Sequence, residues 1–188
     1  LRQTDTSPDS ILALTFTNSG VHAMRERLVE MIGSAAYRVG INTFHTFCNE
    51  LIHDFPEEFP RIVGSRSASR VDQIRLLEGV ISQSDINLLR PYGEPFYHLF
   101  AVMSEIERLK KENLDPDDFD KFLSQLAETD DKRARKNREL AILYRAYEAA
   151  LRREKLYDFA DMIMEATRTL ARDKNFLLRL QEQYQYIL

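Results

Sequence analysis

The sequence predicts a helix-dominated α/β fold that combines a partial parallel sheet with a larger helical region. A short apolar run at residues 11–14 and a second strand pattern at residues 39–43, made by Val39, Ile41 and Thr43, each end in polar residues and lead into a helical pattern. This order is typical of buried parallel strands that are followed by crossover helices. The six glycines and six prolines among 188 residues favour long helices over a turn-rich β fold.

The first strand is predicted over residues 11–14, and its polar end carries Phe16, Thr17 and Asn18. A helix is expected over residues 19–32, capped by Asn18 or by the serine that follows it, because both side chains accept hydrogen bonds from unpaired N–H groups. For Thr17 and Asn18, helix capping alone is a sufficient explanation, and it is compatible with a ligand contact. Ligands of open α/β sheets bind at the carboxyl ends of the strands. These three residues are therefore candidate ligand contacts, although by composition alone Phe16 would most often be a core residue.

The second strand is predicted over residues 39–43 and leads through Phe44 and His45 into another helix. Thr43 is expected to cap this helix, and a helix N terminus with small polar residues also suits a phosphate group. Cys48 falls on the apolar face and is interpreted as a core residue. With so few possible ligands nearby, a metal site at His45 and Cys48 is not favoured.

A helical region of about a hundred residues follows, over residues 56–155, and we expect it to form an all-helical inserted domain. Its third helix begins with Asp115 as a cap and proline at the first helical position, and its apolar face extends to Leu126. Residues 156–188 return to the sheet, with Asp158 as the cap of the first helix. Apolar periodicity places the other helices of the region at residues 70–81, 96–111 and 132–155.

Four motifs in this chain resemble those of UvrD/Rep-type superfamily 1 DNA helicases. The first resembles a motif that contacts single-stranded DNA, and the second resembles the motif that follows it in that family. The third resembles another family signature, and the last resembles the strand that leads into a magnesium-binding Asp-Glu pair. In chain order they are Thr15-Phe16-Thr17-Asn18 with Met24-Arg25-Glu26-Arg27 downstream, Thr43-Phe44-His45-Thr46-Phe47-Cys48, Tyr157-Asp158-Phe159-Ala160-Asp161-Met162 and Tyr184-Gln185-Tyr186-Ile187-Leu188.

The resemblance implies the ATP-binding region of a helicase that moves 3′-to-5′ on single-stranded DNA and uses ATP and Mg²⁺. Residues 1–55 and 156–188 would form a partial RecA-like (P-loop NTPase) core, called 1A, and residues 56–155 the helical insertion, called 1B. The expected partners are single-stranded DNA and single-strand/duplex junctions. The residues that the resemblance assigns to DNA contacts are Phe16, Thr17, Asn18, Thr43, Phe44 and His45.

The sequence departs from the family pattern in three places. Ser19-Gly20-Val21 stands where the family usually has Lys-Ala-Ala, which removes one positive charge. No glycine is followed by lysine, so the phosphate-binding loop Gly-x-x-x-x-Gly-Lys-Ser/Thr is absent, as is the acidic pair for magnesium. We therefore expect an excised piece of a longer helicase, with no catalytic residue, no metal ligand and no bound nucleotide of its own.

The formal net charge of −4 is unusual for a self-sufficient nucleic-acid binder, so any DNA contact should be local. The densest positive segment begins at Lys132 and includes Lys136. Cations there oppose the helix dipole, which makes a functional role plausible beside the alternative of a solvated helix face. The candidate phosphate contacts in this segment are Arg133, Arg135 and Arg138.

Two other functions are compatible with the sequence. One is a non-enzymatic helical interaction module in which the Thr-Phe segments serve only for packing, and the other is the helicase subunit of a recombination nuclease. The single cysteine excludes an internal disulfide and suits a reducing compartment. No apolar run is long enough to span a bilayer, so we expect a cytoplasmic protein without membrane contact.

Overall fold

A computed structural model describes residues 6–125 and 131–188, and the chain divides into two compact units. The sheet unit comprises residues 1–63 and 165–188, and the helical unit comprises residues 64–164. In the described part of the chain, no helix combines the length and apolarity needed to cross a membrane.

Helices dominate the secondary structure. The strands are β1 (Ile11–Thr15), β2 (Gly40–Thr43), β3 (Arg66–Ser67), β4 (Leu156–Tyr157) and β5 (Tyr186–Ile187). The helices are α1 (Asn18–Ile32), α2 (Phe44–Asp54), α3 (Arg70–Gln83), α4 (Leu99–Lys111), α5 (Pro116–Gln125), α6 (Lys132–Arg153), α7 (Phe159–Arg172) and α8 (Lys174–Gln183).

The sheet unit contains a three-stranded parallel sheet in the order β2-β1-β5. Strands β1 and β2 pair so that Leu12 lies opposite Gly40 and Thr15 lies opposite Thr43. Both strands therefore end at the same level, and α1 and α2 begin side by side at the carboxyl edge of the sheet. The predicted α/β fold with a small parallel sheet is confirmed.

The two helices at this edge are capped by threonines. The Thr17 hydroxyl accepts a hydrogen bond from the Gly20 N–H at 3.0 Å, so α1 begins at Asn18. The predicted cap, Asn18 or the next serine, was wrong because the extended backbone of the strand continues through Thr17 (φ −130°, ψ 149°). Thr43 caps α2 as predicted, accepting from the Thr46 N–H at 3.0 Å.

The apolar face of α2 lies in the interior of the sheet unit. Cys48, Leu51 and Ile52 are buried, which confirms the interpretation of Cys48 as a core residue. Burial raises the pKa of the Cys48 thiol to about 11, so the thiol stays protonated at neutral pH. The rings of Phe59 and Phe176 are also buried and meet edge to face, with their centroids 5.9 Å apart.

The helical unit has its own apolar core, built mainly from α3, α4 and α6. Asp115 caps α5 as predicted, since its carboxylate accepts from the N–H groups of Asp117 and Asp118, each at 2.9 Å. The predicted apolar position Leu126 lies outside the described residues. The most deeply buried core side chains are Leu77, Ile81, Ile86, Leu143, Tyr144 and Leu151.

The helical unit is not all-helical, which corrects the prediction from the sequence. Strands β3 and β4 form a parallel pair in which Arg66 lies opposite Leu156 and Ser67 lies opposite Tyr157. Strands of two residues are too short to produce a period in the hydrophobic pattern, so they left no signal.

Helix α4 also begins later than the periodicity predicts. The structure starts this helix at Leu99, three residues after the predicted start. The chain instead makes turns in which the Tyr97 N–H donates to the Glu94 carbonyl and the Leu99 N–H to the Phe96 carbonyl. Phe96 is therefore exposed and does not join the apolar stripe of α4.

A buried ion cluster lies inside the helical unit, where α4, α6 and the start of α7 meet. The Lys110 ammonium is 2.5 Å from Glu148, 2.7 Å from Asp158 and 2.8 Å from Asp161, and its side chain has no exposed surface. Burial disfavours the charged ammonium, but Asp161, Glu148 and Asp158 outweigh this, so the pKa of Lys110 is raised well above its ordinary value.

Two carboxylates of this cluster, Asp158 and Asp161, also form the N terminus of α7. Asp158 accepts from the Asp161 N–H at 3.0 Å, and Asp161 accepts from the Asp158 N–H at 2.9 Å. Asp158 is thus the predicted helix cap and also a partner of Lys110. Burial raises the pKa of Asp158, and the negative charge of Asp161 raises it further, against the opposing effect of Lys110.

Candidate nucleic-acid interface

The carboxyl edge of the sheet presents two aromatic side chains in mutual contact. Phe16 follows β1 and is 87% exposed, and Phe44 follows β2 and is 37% exposed. Their ring centroids are 5.1 Å apart at an interplanar angle of 42°. With so much of its surface exposed, Phe16 is not a core residue. The Phe16 ring is thus presented to solvent, and the Phe44 ring packs against it.

Polar groups surround this aromatic pair. Asn18 and His45 are exposed in the first turns of α1 and α2. Thr43 is 7% exposed and, like Thr17, uses its hydroxyl to cap a helix. Two helix N termini that open at one edge favour an anionic ligand, since their first N–H groups and their dipoles point outward.

Gly20 lets α1 approach the end of β1 closely. A Cβ atom at this position would lie 2.5 Å from the Thr15 hydroxyl oxygen, so a larger residue would require that side chain to rotate. The departure from the family pattern at Ser19-Gly20-Val21 therefore has two effects. It removes one positive charge, and it lets the backbone of α1 at Gly20 lie close to the Thr15 side chain.

Arg25 holds the segment between α1 and β2 in place, a role that sequence reasoning missed. Its guanidinium donates a hydrogen bond to the Val39 carbonyl at 2.8 Å and another to the Ala36 carbonyl. Arg25, on α1 and within the motif Met24-Arg25-Glu26-Arg27, therefore positions the start of β2. The sequence contains no signal for this contact beyond the presence of a cation on the inner side of α1.

The predicted cationic residues lie on the helical unit. Arg133, Arg135 and Arg138 are exposed on the first two turns of α6. Asp131 caps this helix, since its carboxylate accepts a hydrogen bond from the Ala134 N–H at 2.7 Å. It therefore places one negative charge at the positive end of the helix dipole. Arg133 and Arg138 also line a groove of about 1060 Å³ along α5 and α6, together with Ile142.

Neither a phosphate-binding loop nor a candidate metal cluster is found in the described part of the chain. No Gly-x-x-x-x-Gly-Lys-Ser/Thr loop is present in the sequence. Over residues 6–125 and 131–188, no group of three or more His, Cys, Asp or Glu side chains is placed to hold a metal ion.

The fold defines a class of protein: an α/β protein with a small parallel sheet and a second, mainly helical unit. The chain belongs to the family described as UvrD/REP helicase N-terminal domain, whose model matches residues 1–188. The resemblance predicted from four short motifs is therefore confirmed.

Curated relatives match the chain over nearly its whole length. The chain is 29% identical over 194 residues to ATP-dependent DNA helicase PcrA of Staphylococcus epidermidis. This alignment covers 100% of this chain and 24% of that protein. It is 24% identical over 184 residues to ATP-dependent DNA helicase PcrA of Bacillus subtilis, covering 96% of this chain and 22% of that protein.

A third relative is a probable DNA helicase II homolog of Rickettsia conorii, 26% identical over 190 residues that cover 100% of this chain and 27% of that protein. The chain therefore spans about a quarter of the length of these relatives.

Proposed function

We propose that this chain is part of an ATP-dependent 3′-to-5′ DNA helicase and that the carboxyl edge of its sheet contacts single-stranded DNA. The observation that carries the proposal is Phe16, an 87% exposed ring at a strand end that rests on Phe44. The family match and the relatives' names support it.

In this proposal Phe16 stacks on an unpaired base, a contact worth about 1–3 kcal/mol that tolerates any sequence. Phe44 keeps the Phe16 ring from turning inward. Asn18 and His45, at the two helix N termini, contact the adjacent phosphates. Thr17 and Thr43 act indirectly, because their hydroxyl groups are used to cap the helices that present these residues.

The sheet unit would be the partial RecA-like core 1A, and the helical unit would be the insertion 1B. The sequence predicted boundaries at residues 55/56 and 155/156, whereas the compact units change at residues 63/64 and 164/165. On the helical unit, Arg133, Arg135 and Arg138 would contact duplex phosphates at a single-strand/duplex junction. Phosphate contacts of this kind position the protein without reading sequence.

ATP bound with Mg²⁺ would supply the free energy for translocation, through residues that this chain does not contain. We therefore expect the purified chain to show no DNA-stimulated ATP hydrolysis. A single-turnover assay with radiolabelled ATP, with and without oligothymidylate, measures this directly. DNA-stimulated phosphate release by the chain would show that it holds a nucleotide site after all.

The proposed DNA contact is tested by Phe16→Ala in the complete helicase. Single-strand affinity should fall about 5- to 150-fold, which corresponds to the loss of one stacking contact. The free energy of unfolding should change by less than about 0.5 kcal/mol, because the ring is exposed. Fluorescence anisotropy with a labelled oligothymidylate measures the affinity, and urea denaturation measures the stability.

Tyr37→Ala is the matched control, since Tyr37 is a 70% exposed aromatic residue of the same unit. It should leave single-strand affinity unchanged. If Phe16→Ala binds DNA normally, or if it unfolds the sheet unit, then the stacking role assigned to Phe16 is wrong.

A further inference from the structure

The contact proposed at the carboxyl edge of the sheet is built from uncharged side chains. Every residue from 10 to 24 and from 39 to 49 is uncharged when histidine is counted as neutral. These two stretches, all of them described, contain β1, β2 and the first turns of α1 and α2. The residues of the contact therefore supply aromatic, hydroxyl, amide and imidazole groups only. We call them the strand-end site: Phe16, Thr17, Asn18, Thr43, Phe44 and His45.

The four charged residues that flank these stretches in sequence have partners inside the sheet unit. Asp9 accepts a hydrogen bond from Nε of Arg38 at 3.1 Å, and both residues precede the strands, at the amino edge of the sheet. The Arg25 guanidinium donates to the carbonyl that precedes β2, at 2.8 Å. The Glu50 carboxylate accepts from the Asn42 amide at 2.6 Å. The two arginines are thus engaged near the amino ends of the strands, at the opposite edge from the strand-end site.

The helices of the strand-end site are also capped without charge. Thr17 and Thr43 cap α1 and α2 through their hydroxyl groups, and neither helix has an acidic residue in its first turn. The partial positive charge at each N terminus is therefore not offset by a carboxylate of the same turn. Neutral N–H donors with this partial charge can hold a phosphate oxygen without a cation. Carboxylates take part in the caps of five other helices, α3 and α5 to α8: Asp72, Asp115, Asp131, Asp158 and Asp173.

The type of contact determines how binding depends on salt. When Lys or Arg neutralises a phosphate of single-stranded DNA, counterions are released, and the slope of log K against log salt becomes steeper by about 0.7 per phosphate. A base that stacks on an aromatic ring displaces no counterion, so its contribution is the same at low and high salt. Phe16, which is 87% exposed and packs against Phe44 with ring centroids 5.1 Å apart, offers such a ring.

We propose that the strand-end site holds an unpaired base by stacking and neutral hydrogen bonds, without an ionic contact, so that this part of single-strand binding does not depend on salt. The inference rests on the proposed function, because it assumes that single-stranded DNA lies at Phe16. The site recognises a base with its sugar, and the negative charge of the adjacent phosphate is dispensable. The contact therefore persists at salt concentrations that weaken ionic contacts to DNA.

The first step of the test locates the nucleotide that Phe16 holds in the complete helicase. A duplex with a single-stranded thymidylate tail fixes the register, and single abasic sites are placed at successive positions of the tail. At the nucleotide that stacks on Phe16, the abasic site and Phe16→Ala remove the same contact, so the variant should have no further effect there. With the other abasic positions, Phe16→Ala should still lower affinity about 5- to 150-fold.

The second step removes charge from the DNA at that nucleotide. Uncharged methylphosphonates replace the two phosphates that flank it. The slope of log K against log salt should stay the same, whereas the loss of one ionic contact would reduce it by about 0.7. Fluorescence anisotropy measures the affinity at several salt concentrations. All titrations are done at pH 8, above the range in which histidine normally becomes charged.

The third step adds a cation to the protein. Ser19 is exposed in the first turn of α1, so Ser19→Lys places an ammonium beside the strand-end site and leaves the hydrogen bond from the Gly20 N–H to Thr17 in place. The slope should become steeper by about 0.7, so the gain in affinity should be about 3.5-fold larger at about 50 mM than at about 300 mM salt. Methylphosphonates at the located nucleotide should abolish this gain.

Glu30→Gln is the matched control for the added charge. It changes the net charge by the same amount at an exposed position of α1 that lies about 18 Å along the helix axis from Asn18. The slope of log K against log salt should stay at its unaltered value. Circular dichroism checks that both charge variants keep the fold.

The outcomes separate this proposal from the proposed function. If Phe16→Ala weakens binding and the methylphosphonates reduce the slope by about 0.7 or more, then the site makes an ionic contact, so this inference is wrong and the function stands. If Phe16→Ala binds normally at every salt concentration, then both are wrong. Equal slopes for Ser19→Lys and Glu30→Gln would also overturn the inference, because the DNA backbone would then lie away from the start of α1.

Discussion

Replacing Lys110 with methionine should destabilise the helical unit by about 3–5 kcal/mol, the usual cost of removing one partner from a buried ion pair. Methionine fills a similar volume, but Glu148, Asp158 and Asp161 would be left in the interior without their cation. The change also removes what fixes the two aspartates at the N terminus of α7. Urea denaturation followed by circular dichroism, on the 188-residue chain and on the complete protein, measures the loss.

The loss of stability should depend on pH, with a sign that follows from proton binding. In Lys110→Met the buried carboxylates are accommodated only if they take up protons. The folded state then binds more protons than the unfolded state, so the stability of the variant rises as pH falls. In the unaltered chain the raised pKa of Lys110 keeps the ammonium charged at both pH 5 and pH 8. The difference in unfolding free energy should therefore be smaller at pH 5.

The neighbouring residue provides a matched control. Lys111 is 61% exposed in its side chain and pairs with Glu107 at 2.8 Å, so Lys111→Met should cost less than about 1 kcal/mol. Adding Glu148→Gln to Lys110→Met should recover part of the lost stability, because one uncompensated charge is removed. Equal effects of Lys110→Met and Lys111→Met would show that the buried cluster does not stabilise the fold.

Replacing Arg133, Arg135 and Arg138 together with glutamine should weaken binding of the complete helicase to a single-strand/duplex junction by about a hundredfold or more at moderate salt. Three phosphate contacts contribute about 2.7 to the slope of log K against log salt on duplex DNA, and the triple variant should lose that amount. Binding to single strand alone should change much less. Anisotropy titrations on both substrates, at several salt concentrations, measure the two effects.

The control removes the same number of positive charges from other exposed positions of the helical unit. Arg108, Lys111 and Lys121 are 72%, 61% and 74% exposed in their side chains, and each lies within 4 Å of a carboxylate on its own helix. Changing these three to glutamine should alter junction affinity little. If both triple variants bind the junction alike, then the arginines form only a solvated helix end.

Local signals in the sequence were sufficient for the strands at residues 11–14 and 39–43, for the caps Thr43 and Asp115, and for the family. Each of these depends on neighbours within a few positions: an apolar run, a side-chain acceptor near free N–H groups, or a short motif. Such interactions form in the same way wherever the segment lies in the protein.

Which side chains are buried, and which charged side chains pair with each other, depended on the tertiary structure. Phe100 shares the helical spacing of α4, yet it is exposed. Lysine is rarely buried, yet the side chain of Lys110 has no exposed surface. The reason is that Lys110 pairs with carboxylates 38 to 51 positions away in the sequence. A local sequence pattern cannot predict such contacts.

The candidate site shows the same division. The sequence alone determined that Phe16 and Phe44 each stand at the end of a strand, because a strand followed by a helix is a local pattern. Only the tertiary structure decided that the two rings touch and that Phe16 faces solvent, since this requires β1 and β2 to be neighbours in register. Strand pairing joins residues far apart in sequence, and its register sets which side chains share an edge.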